Sequence, residues 1–140
     1  MITIKKQEIV KLEDVLHLYQ AVGWTNYTHQ PEMLEQALSH SLVIYVALDG
    51  DAVVGLIRLV GDGFSSIFVQ DLIVLPSYQR QGIGSNLMKE ALADYKDAYQ
   101  IQLATEQTEK NLGFYRSLGF ETLSTYDCTG MIWLDRKKFK

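Results

Sequence analysis

The chain has 140 residues, enough for one domain with a sizeable core. Its composition, 47% hydrophobic and 21% charged, is typical of a soluble globular protein. The net charge of −4 argues against a broad nucleic-acid-binding surface. The single cysteine, Cys128, excludes an internal disulfide and a thiolate metal cluster.

The compartment and partners are inferred from the same data. The first residues lack the apolar core of a signal peptide, and no apolar run approaches the roughly 20 residues of a membrane helix. We therefore expect a cytoplasmic protein without a membrane or nucleic-acid partner. No repeat or linker divides the chain, which predicts a single domain over residues 1–140. His17 and His40 have no second ligand at metal spacing, so we expect no metal.

The first half of the chain predicts one strand, two helices and then two further strands. "MITIKKQ" alternates apolar and polar residues, as an edge strand does. "LEDVLHLYQAVGW" has helical spacing and a stop at Gly23, and "PEMLEQALSHS" is a second helix that begins at Pro31. "LVIYVALDGDAVVGLIRLVGD" predicts two strands around a turn at Asp49-Gly50-Asp51.

The second half predicts a parallel strand pair and a final hairpin. "SIFVQDLIVL" is a strand, a helical stripe begins at Ile83, and "YQIQLAT" is the next strand, so the two strands are expected to be parallel. "EKNLGFYRSLGF" predicts a short helix closed by Gly119, and "FETLSTY" with "TGMIWLDRK" predicts a hairpin. Cys128 is expected to be a small apolar filler beside that hairpin. The fold class is mixed α/β: an antiparallel meander, a central parallel pair, a C-terminal hairpin and about four helices.

The loop "LPSYQRQGIGSNL", between the long strand and its helix, has the chemistry of a diphosphate site. A helix start presents unpartnered N–H groups and partial positive charge, and glycine allows an anion to approach the backbone. Arg80 adds a full charge. The alternative is a tight turn whose glycines serve packing alone. The spacing matches neither a Walker loop nor the three-glycine dinucleotide fingerprint.

The segment "VLPSYQRQGIGSNLM" resembles the acetyl-CoA signature of the GNAT N-acetyltransferase superfamily, with Gln79, Gly82 and Gly84 at its fixed positions. "VVGLIRLV" resembles the strand that precedes the cofactor strand, and "NLGFYRSLGFE" resembles the family's late helix-to-strand signature. The resemblance implies a GNAT fold in which two parallel strands splay apart around acetyl-CoA, which serves as co-substrate.

The resemblance also assigns the residues that bind the cofactor. The backbone of the cofactor strand would pair with the pantetheine arm, here at Leu72, Ile73 and Val74. The amides of the loop would meet the diphosphate, namely those of Gln79, Arg80, Gln81, Gly82, Ile83, Gly84 and Ser85. In this family a bulge in the cofactor strand often frees an amide to polarise the thioester carbonyl, but the sequence does not locate one here.

Tyr115 matches the family's usual general acid, which would protonate the leaving thiolate; the alternative is a helix tyrosine packed on the core. Asn111 lies one helical turn earlier and is either a contact to the cofactor arm or the N-cap of the helix. Asp71, inside an apolar strand, is a base, an anchor for the substrate amine or a structural acceptor for loop amides. Glu106 is either another acid at the substrate or a solvated loop residue.

The loop between the first two helices is expected to contact the substrate through Trp24 and Tyr27, although a loop tryptophan is also often a plug over the core. "VGW" and the following Leu-x-x-Ala-Leu helix are similar to the serotonin N-acetyltransferase-like branch of the family, a short likeness that assigns no acceptor. A small-molecule amine and a protein amine both stay open as acceptors. A monomer and a homodimer are both compatible with the sequence.

The leading hypothesis is therefore transfer of an acetyl group from acetyl-CoA to a primary amine, by direct attack in a ternary complex. The alternatives are a non-catalytic acetyl-CoA sensor and a nucleotide- or phosphate-binding protein of another family. The basic end of the chain, "DRKKFK", is expected to be a solvated tail, with a contact to the cofactor's 3′-phosphate as the alternative.

Overall fold

The computed structural model describes residues 1–135. Its strands are β1 (Ile2–Gln7), β2 (Val43–Asp49), β3 (Ala52–Gly61), β4 (Ile67–Val74) and β5 (Ile101–Leu103). Its α-helices are α1 (Leu12–Ala21), α2 (Thr25–Thr28), α3 (Pro31–Ser39), α4 (Ile83–Asp94) and α5 (Glu109–Ser117). Two short 3-10 helices cover Pro76–Tyr78 and Leu123–Tyr126.

The chain forms two compact units, residues 1–104 and residues 105–140. The first unit holds the whole sheet and four of the α-helices, and the second holds α5 and the segment that follows it. The single domain expected from the sequence stays a prediction.

The five strands of the first unit form one mixed sheet in chain order, β1-β2-β3-β4-β5. The pairs from β1 to β4 are antiparallel, and β4 pairs with β5 in parallel. The connection between β4 and β5 contains α4, as a parallel crossover requires. The predicted mixed α/β class, the antiparallel meander, the edge position of β1 and the parallel pair are confirmed.

Helices cover both faces of this sheet. One face packs against α1 and α3 in a core of buried side chains, which are Val15, Leu18, Tyr19, Leu34, Leu38, Ile44, Val46, Leu56 and Ile73. On the other face, Leu87 of α4 lies against Gly55 of β3 and beside Ala47 of β2. Because successive strand residues point to opposite faces, Val46 and Ala47 divide between the two helical layers.

The structure corrects three expectations. Part of the loop expected between the first two helices is the short helix α2. The expected C-terminal hairpin is absent from the described residues 120–135, where Leu123–Tyr126 is a 3-10 helix. Strand propensity does not by itself make a strand, because a strand needs a partner to accept its hydrogen bonds. Cys128 is exposed and is not an apolar filler.

Two further expectations concern the basic C-terminal tail and a possible membrane-spanning helix. The predicted basic tail lies outside the described residues from Arg136 onward. No helix between residues 1 and 135 is both long and apolar enough to cross a membrane.

Candidate functional site

The loop after β4 changes the chain direction through two left-handed residues. β4 ends at Val74, and the 3-10 helix begins at Pro76. Arg80 then has φ of 66° and Gly82 has φ of 77°. Gly82 is the N-cap of α4, and no side chain caps the helix with a hydrogen bond to its first amides. The start of the helix therefore lacks the hydroxyl or carboxylate that usually accepts from these amides.

The first turn of α4 leaves a row of backbone donors free. In the part of the chain that the structure describes, the amides from Gly82 to Ser85 donate no hydrogen bond, whereas the Asn86 amide donates to the Gly82 carbonyl at 3.0 Å. The helix macrodipole adds partial positive charge at the same end. The exposed side chain of Arg80 brings a full charge to this loop. These groups fit the oxygens of a diphosphate.

Gln79 contributes to the shape of the loop through its side chain. Its Nε2 donates to the carbonyl oxygen of Val74 at 3.1 Å, which ties the loop back to the end of β4. This side chain therefore braces the turn. The Gln79 amide donates to the Pro76 carbonyl at 3.3 Å, so neither donor of Gln79 is free for an anion. Ile83 is buried and has only its amide to offer.

β4 has an open edge immediately before this loop. β5 pairs only with the first residues of β4, Ile67 to Val69. From Gln70 to Val74 no strand of the described chain lies beside β4 on the side away from β3. The predicted arm-binding residues Leu72, Ile73 and Val74 are all in this stretch. Since the Ile73 side chain is buried in the core, its backbone is the part that a ligand would meet.

A bulge interrupts β4 at Gln70. Arg58 of β3 pairs with Asp71, but the next residue, Leu59, pairs with Val69, so Gln70 is the extra residue. Arg58 and Leu59 point to opposite faces of β3. Their partners Asp71 and Val69 therefore lie on opposite faces of the sheet, although they are two residues apart in β4. This is the irregularity that the sequence did not locate, and it lies where β5 ends.

Asp71 lies at the centre of a buried hydrogen-bond network. Its Oδ2 accepts from Arg58 Nε at 2.7 Å and from the Tyr19 hydroxyl at 2.8 Å, and its Oδ1 accepts from the Tyr27 hydroxyl at 3.0 Å. Arg58 and Asp71 are only 4% and 2% exposed. Arg58 also donates to the Ser41 hydroxyl and the Tyr27 hydroxyl, both at 3.2 Å.

The network shifts the titration of its members. Burial raises the pKa of Tyr19 far above the ordinary value of a phenol, and the Asp71 carboxylate adds to the effect. Burial followed by the same carboxylate raises the pKa of Tyr27. Burial alone would lower the pKa of Arg58, but Asp71 more than offsets it, and the pKa lies above the usual range.

These contacts favour the structural alternative for Asp71 over a base. Both carboxylate oxygens are occupied by donors, and a full positive charge is adjacent. The donors are side chains from α1, α2 and β3, not the loop amides expected from the sequence. Gln70, the neighbouring polar residue, is exposed, and its Nε2 lies 3.4 Å from the Tyr27 hydroxyl.

The predicted substrate residues Trp24 and Tyr27 belong to an aromatic cluster with Tyr19. The ring centroids lie 6.1 Å apart for Tyr19 and Trp24, 5.1 Å for Tyr19 and Tyr27, and 6.2 Å for Trp24 and Tyr27. Trp24 and Tyr27 are half-buried and pack against the core beneath α1 and α3. Trp24 thus covers the core, as the alternative reading expects, and a contact to substrate stays a prediction.

The second unit contains the remaining predicted residues. Thr108 is the N-cap of α5, and its hydroxyl accepts from the Asn111 amide at 3.1 Å, so the N-cap interpretation of Asn111 is wrong. The Asn111 side chain instead donates to the Thr105 hydroxyl at 3.1 Å and approaches the Glu106 carbonyl at 3.5 Å. The side chain of Glu106 is exposed.

Tyr115 is half-buried on α5 between two phenylalanines. Its ring centroid is 5.0 Å from that of Phe114 and 6.0 Å from that of Phe120. Burial raises the pKa of the Tyr115 phenol, and the Thr105 hydroxyl partly offsets the rise. A phenol of this kind keeps its proton at neutral pH and is able to give it to a stronger base.

Sequence reasoning missed two members of the buried network, Arg58 and Tyr19. Arg58 stands alone in the apolar run "VVGLIRLV", just as Asp71 stands alone in "FVQDLIVL". Opposite charges in two consecutive apolar strands indicate a buried pair, since neither is tolerated without the other. That signal was present in the sequence.

Free amides at the start of α4, an unpaired edge of β4 and a bulge in that strand all lie within residues 67–85. A family comparison covers the same stretch of the chain. Residues 40–122 match the model of the acetyltransferase (GNAT) domain. The chain belongs to the GNAT acetyltransferase family.

Known relatives support this membership. A GNAT-family acetyltransferase of Streptococcus pneumoniae TIGR4 is 86% identical, with a TM-score of 0.90 over 97% of this chain and 99% of that one. Serotonin N-acetyltransferase 2, chloroplastic, of Oryza sativa is 34% identical over 95 residues, which are 65% of this chain and 48% of the rice protein. The chain thus spans about half the length of that relative.

A more distantly related structure contains acetyl-CoA. A GNAT family acetyltransferase of Elizabethkingia anophelis, with acetyl-CoA bound, is 21% identical and has a TM-score of 0.63 over 86% of this chain and 76% of that one. The likeness to it is one of fold. No group of three or more side chains of the kind that ligate metals occurs within residues 1–135.

Proposed function

We propose that this protein transfers an acetyl group from acetyl-CoA to a primary amine. The amine attacks the thioester carbonyl directly while both substrates are bound, and coenzyme A leaves as a thiolate that takes up a proton. The alternative of a nucleotide-binding protein of another family is removed by the family match over residues 40–122. The other alternative, a non-catalytic sensor, would bind acetyl-CoA in the same way but would not transfer the acetyl group.

The observation that carries the proposal is a row of backbone groups without hydrogen-bond partners, which runs from β4 to the start of α4. The unpaired edge from Gln70 to Val74 runs into a loop that ends in the free amides of Gly82 to Ser85. An extended polar arm that ends in a diphosphate satisfies both sets of groups. Unpaired backbone groups are costly when a ligand or the protein shields them from water, so such a row needs a polar partner.

The proposed roles follow the chemistry of each residue. The backbone of Leu72, Ile73 and Val74 would pair with the pantetheine arm, and the amides from Arg80 to Ser85 would hold the diphosphate. Tyr115 would protonate the leaving thiolate, because its phenol carries a proton at neutral pH. Asn111 would serve as a further contact to the cofactor, although its side chain also braces the loop before α5.

The acceptor amine must lose its proton before it attacks. Asp71 is tied to Arg58 and two tyrosines, so we assign it to positioning, and we propose that water removes the proton. Trp24, Tyr27 and Glu106 would contact the acceptor. The rice relative's name makes arylalkylamines the first acceptors to test, alongside polyamines, amino acids and lysine peptides.

An amine-panel assay tests the function. The full-length protein is mixed with acetyl-CoA and each amine, free thiol is followed by a chromogenic disulfide, and the acetylated product is identified by mass. We expect amine-dependent thiol release with at least one class of amine. Tight binding of acetyl-CoA with no product from any class would support the sensor instead, and a protein that binds no CoA would overturn both.

A further inference from the structure

Tyr78 ties the loop after β4 to a distant part of the sheet. Its hydroxyl donates to Oδ2 of Asp49 at 2.5 Å. Tyr78 is the last residue of the 3-10 helix that follows β4, and Asp49 is the last residue of β2. Both residues belong to the unit of residues 1–104. The hydrogen bond therefore joins the loop that precedes α4 to the turn between β2 and β3.

Asp49 is an acceptor with a fixed position. It pairs with Ile2 of β1 and with Ala52 of β3, so its backbone is held in the sheet on both sides. Its side chain is 40% exposed, and its second oxygen, Oδ1, lies 3.8 Å from the amino nitrogen of Met1. The hydrogen bond to this carboxylate raises the pKa of the Tyr78 phenol, which therefore remains a donor at neutral pH.

The loop has few other anchors. The Leu75 amide donates to the Val54 carbonyl at 2.9 Å, which ends the backbone hydrogen bonds between β3 and this part of the chain. The amides of Tyr78 and Gln79 donate only within the loop, and the Gln79 side chain reaches back to the end of β4. Within the first unit, the Tyr78 hydroxyl thus makes the one hydrogen bond from residues 76–81 to an element other than β4.

The conformation of this loop needs support. Arg80 has φ of 66°, which is unfavourable for a residue with a side chain and persists where neighbouring contacts hold it. Tyr78 lies two residues before it and supplies such a contact. A loop that is ordered before its ligand arrives loses less conformational entropy on binding, and the ligand binds more tightly.

Charge alone does not explain an aspartate at this place. The free amides from Gly82 to Ser85 and the guanidinium of Arg80 favour an anion, whereas a carboxylate tied to the same loop repels one. By its charge, Asp49 opposes the binding of a diphosphate. Its contribution to the order of the loop acts in the opposite direction, so the two effects are distinguished by their sign.

We propose that Asp49 and Tyr78 are positioning residues for the diphosphate of coenzyme A. Their hydrogen bond holds the loop in the conformation that directs the amides at the start of α4 toward the anion. Neither side chain contacts the cofactor or the reacting atoms in this role. The inference rests on the proposed function, because it takes the loop as the diphosphate site. The pair should set the KM for acetyl-CoA and leave the turnover number unchanged.

Equilibrium titration of the full-length protein with CoA tests the positioning role. Tyr78→Phe removes only the donor and Asp49→Ala removes the acceptor, so each should weaken CoA by about 3- to 10-fold, the effect of one hydrogen bond. The double variant should bind CoA no more weakly than either single variant, because the two groups act together. Asp49→Asn keeps an acceptor oxygen and should restore CoA affinity to within about twofold of the wild type.

Asp51→Ala is the matched control for charge. Asp51 is an exposed acid in the same turn as Asp49. Its loss removes the same negative charge, so CoA should bind with unchanged or slightly higher affinity. In steady-state assays with an amine from the panel, Tyr78→Phe and Asp49→Ala should raise the KM for acetyl-CoA by the factor seen in the titration. Their turnover numbers should match the wild type.

The outcomes separate this inference from the proposed function. If the wild type binds CoA and both variants bind it as tightly, or if Asp49→Ala behaves like Asp51→Ala, the positioning role is wrong and the proposed function is untouched. A lower turnover number at an unchanged KM would also contradict the role. If the wild type binds no CoA, the proposed function fails, and this inference fails with it.

Discussion

The Nε of Arg58 donates to the Oδ2 of Asp71 at 2.7 Å, from one β-strand to the next, in a site where both residues are almost fully buried. A bulge at the adjacent Gln70 fixes which residues of β4 share this face with Arg58. The pair thus joins the bulged part of β4 to helices α1 and α2 through Tyr19 and Tyr27.

Removing both partners of this pair should destabilise the fold by less than the two single losses added together. Arg58→Met or Asp71→Leu alone leaves an uncompensated buried charge, and we expect each to lower the free energy of unfolding by about 3–5 kcal/mol. The loss of unfolding free energy in the double variant should be smaller than the sum of the two single losses by at least ~2 kcal/mol. Urea unfolding of the four proteins measures this coupling. Additive losses would show that the pair does not act as a unit.

The same double variant tests the positioning role of Asp71. If Asp71 acts only through Arg58 and the tyrosines, the folded double variant should keep its turnover number within about tenfold of the wild type. Loss of a general base usually costs about 10²–10⁴-fold. A loss of that size with normal binding of CoA, together with loss of the acidic limb of the pH–rate profile, would make Asp71 the base.

Gly82→Ala should weaken both stability and the binding of coenzyme A. No atom blocks a Cβ at Gly82, but φ of 77° is unfavourable for alanine, and we expect a loss of about 1 kcal/mol in unfolding free energy. The altered backbone should weaken CoA by about tenfold, or ~1.4 kcal/mol. Calorimetric unfolding and CoA titration measure the two effects.

Gly113→Ala is the matched control for this glycine. Gly113 lies within α5, has no positive φ, and leaves open space for a Cβ. Alanine there should stabilise the protein by about 0.5–1 kcal/mol. CoA binding that is unchanged in Gly82→Ala would remove the loop from the diphosphate site.

Tyr115→Phe should separate binding from proton transfer. The ring and its contacts to Phe114 and Phe120 are kept, so the thermal shift produced by CoA should match the wild type. The turnover number should fall by about 100-fold because the leaving thiolate loses its acid. The exposed Tyr126→Phe in the same unit is the control. Unchanged thiol release in Tyr115→Phe would dismiss the assignment.

Stability should decline above pH 10, and Tyr19→Phe should reduce that decline. The pKa of Tyr19 is raised in the folded state from 10.0, so its contribution is complete below pH 10 and is lost at higher pH, where the unfolded chain releases the proton first. Each such group gives up to about 1.4 kcal/mol per pH unit. Urea unfolding between pH 8 and 11 measures the slope; an identical slope in the variant would contradict the shift.

Much of the fold was predictable because the sequence patterns are local. Alternation marked β1, the turn at Asp49-Gly50-Asp51 marked β2 and β3, and helical spacing with Gly23 and Pro31 marked α1 and α3. The order of strand, helix and strand marked the parallel pair. The glycines at 82 and 84 predict an anion site at the start of α4, and that site stays a prediction. These features depend on the backbone preferences of a few neighbouring residues.

The sequence by itself therefore determined the meander, the crossover and the motif whose free amides follow β4. Only the tertiary structure decided that Gln70 is the bulged residue and that Asp71 faces Arg58, Tyr19 and Tyr27. The reason is physical: a helix start satisfies or exposes its own hydrogen bonds locally, but register, buried ion pairs and strand partners depend on residues far apart in the chain.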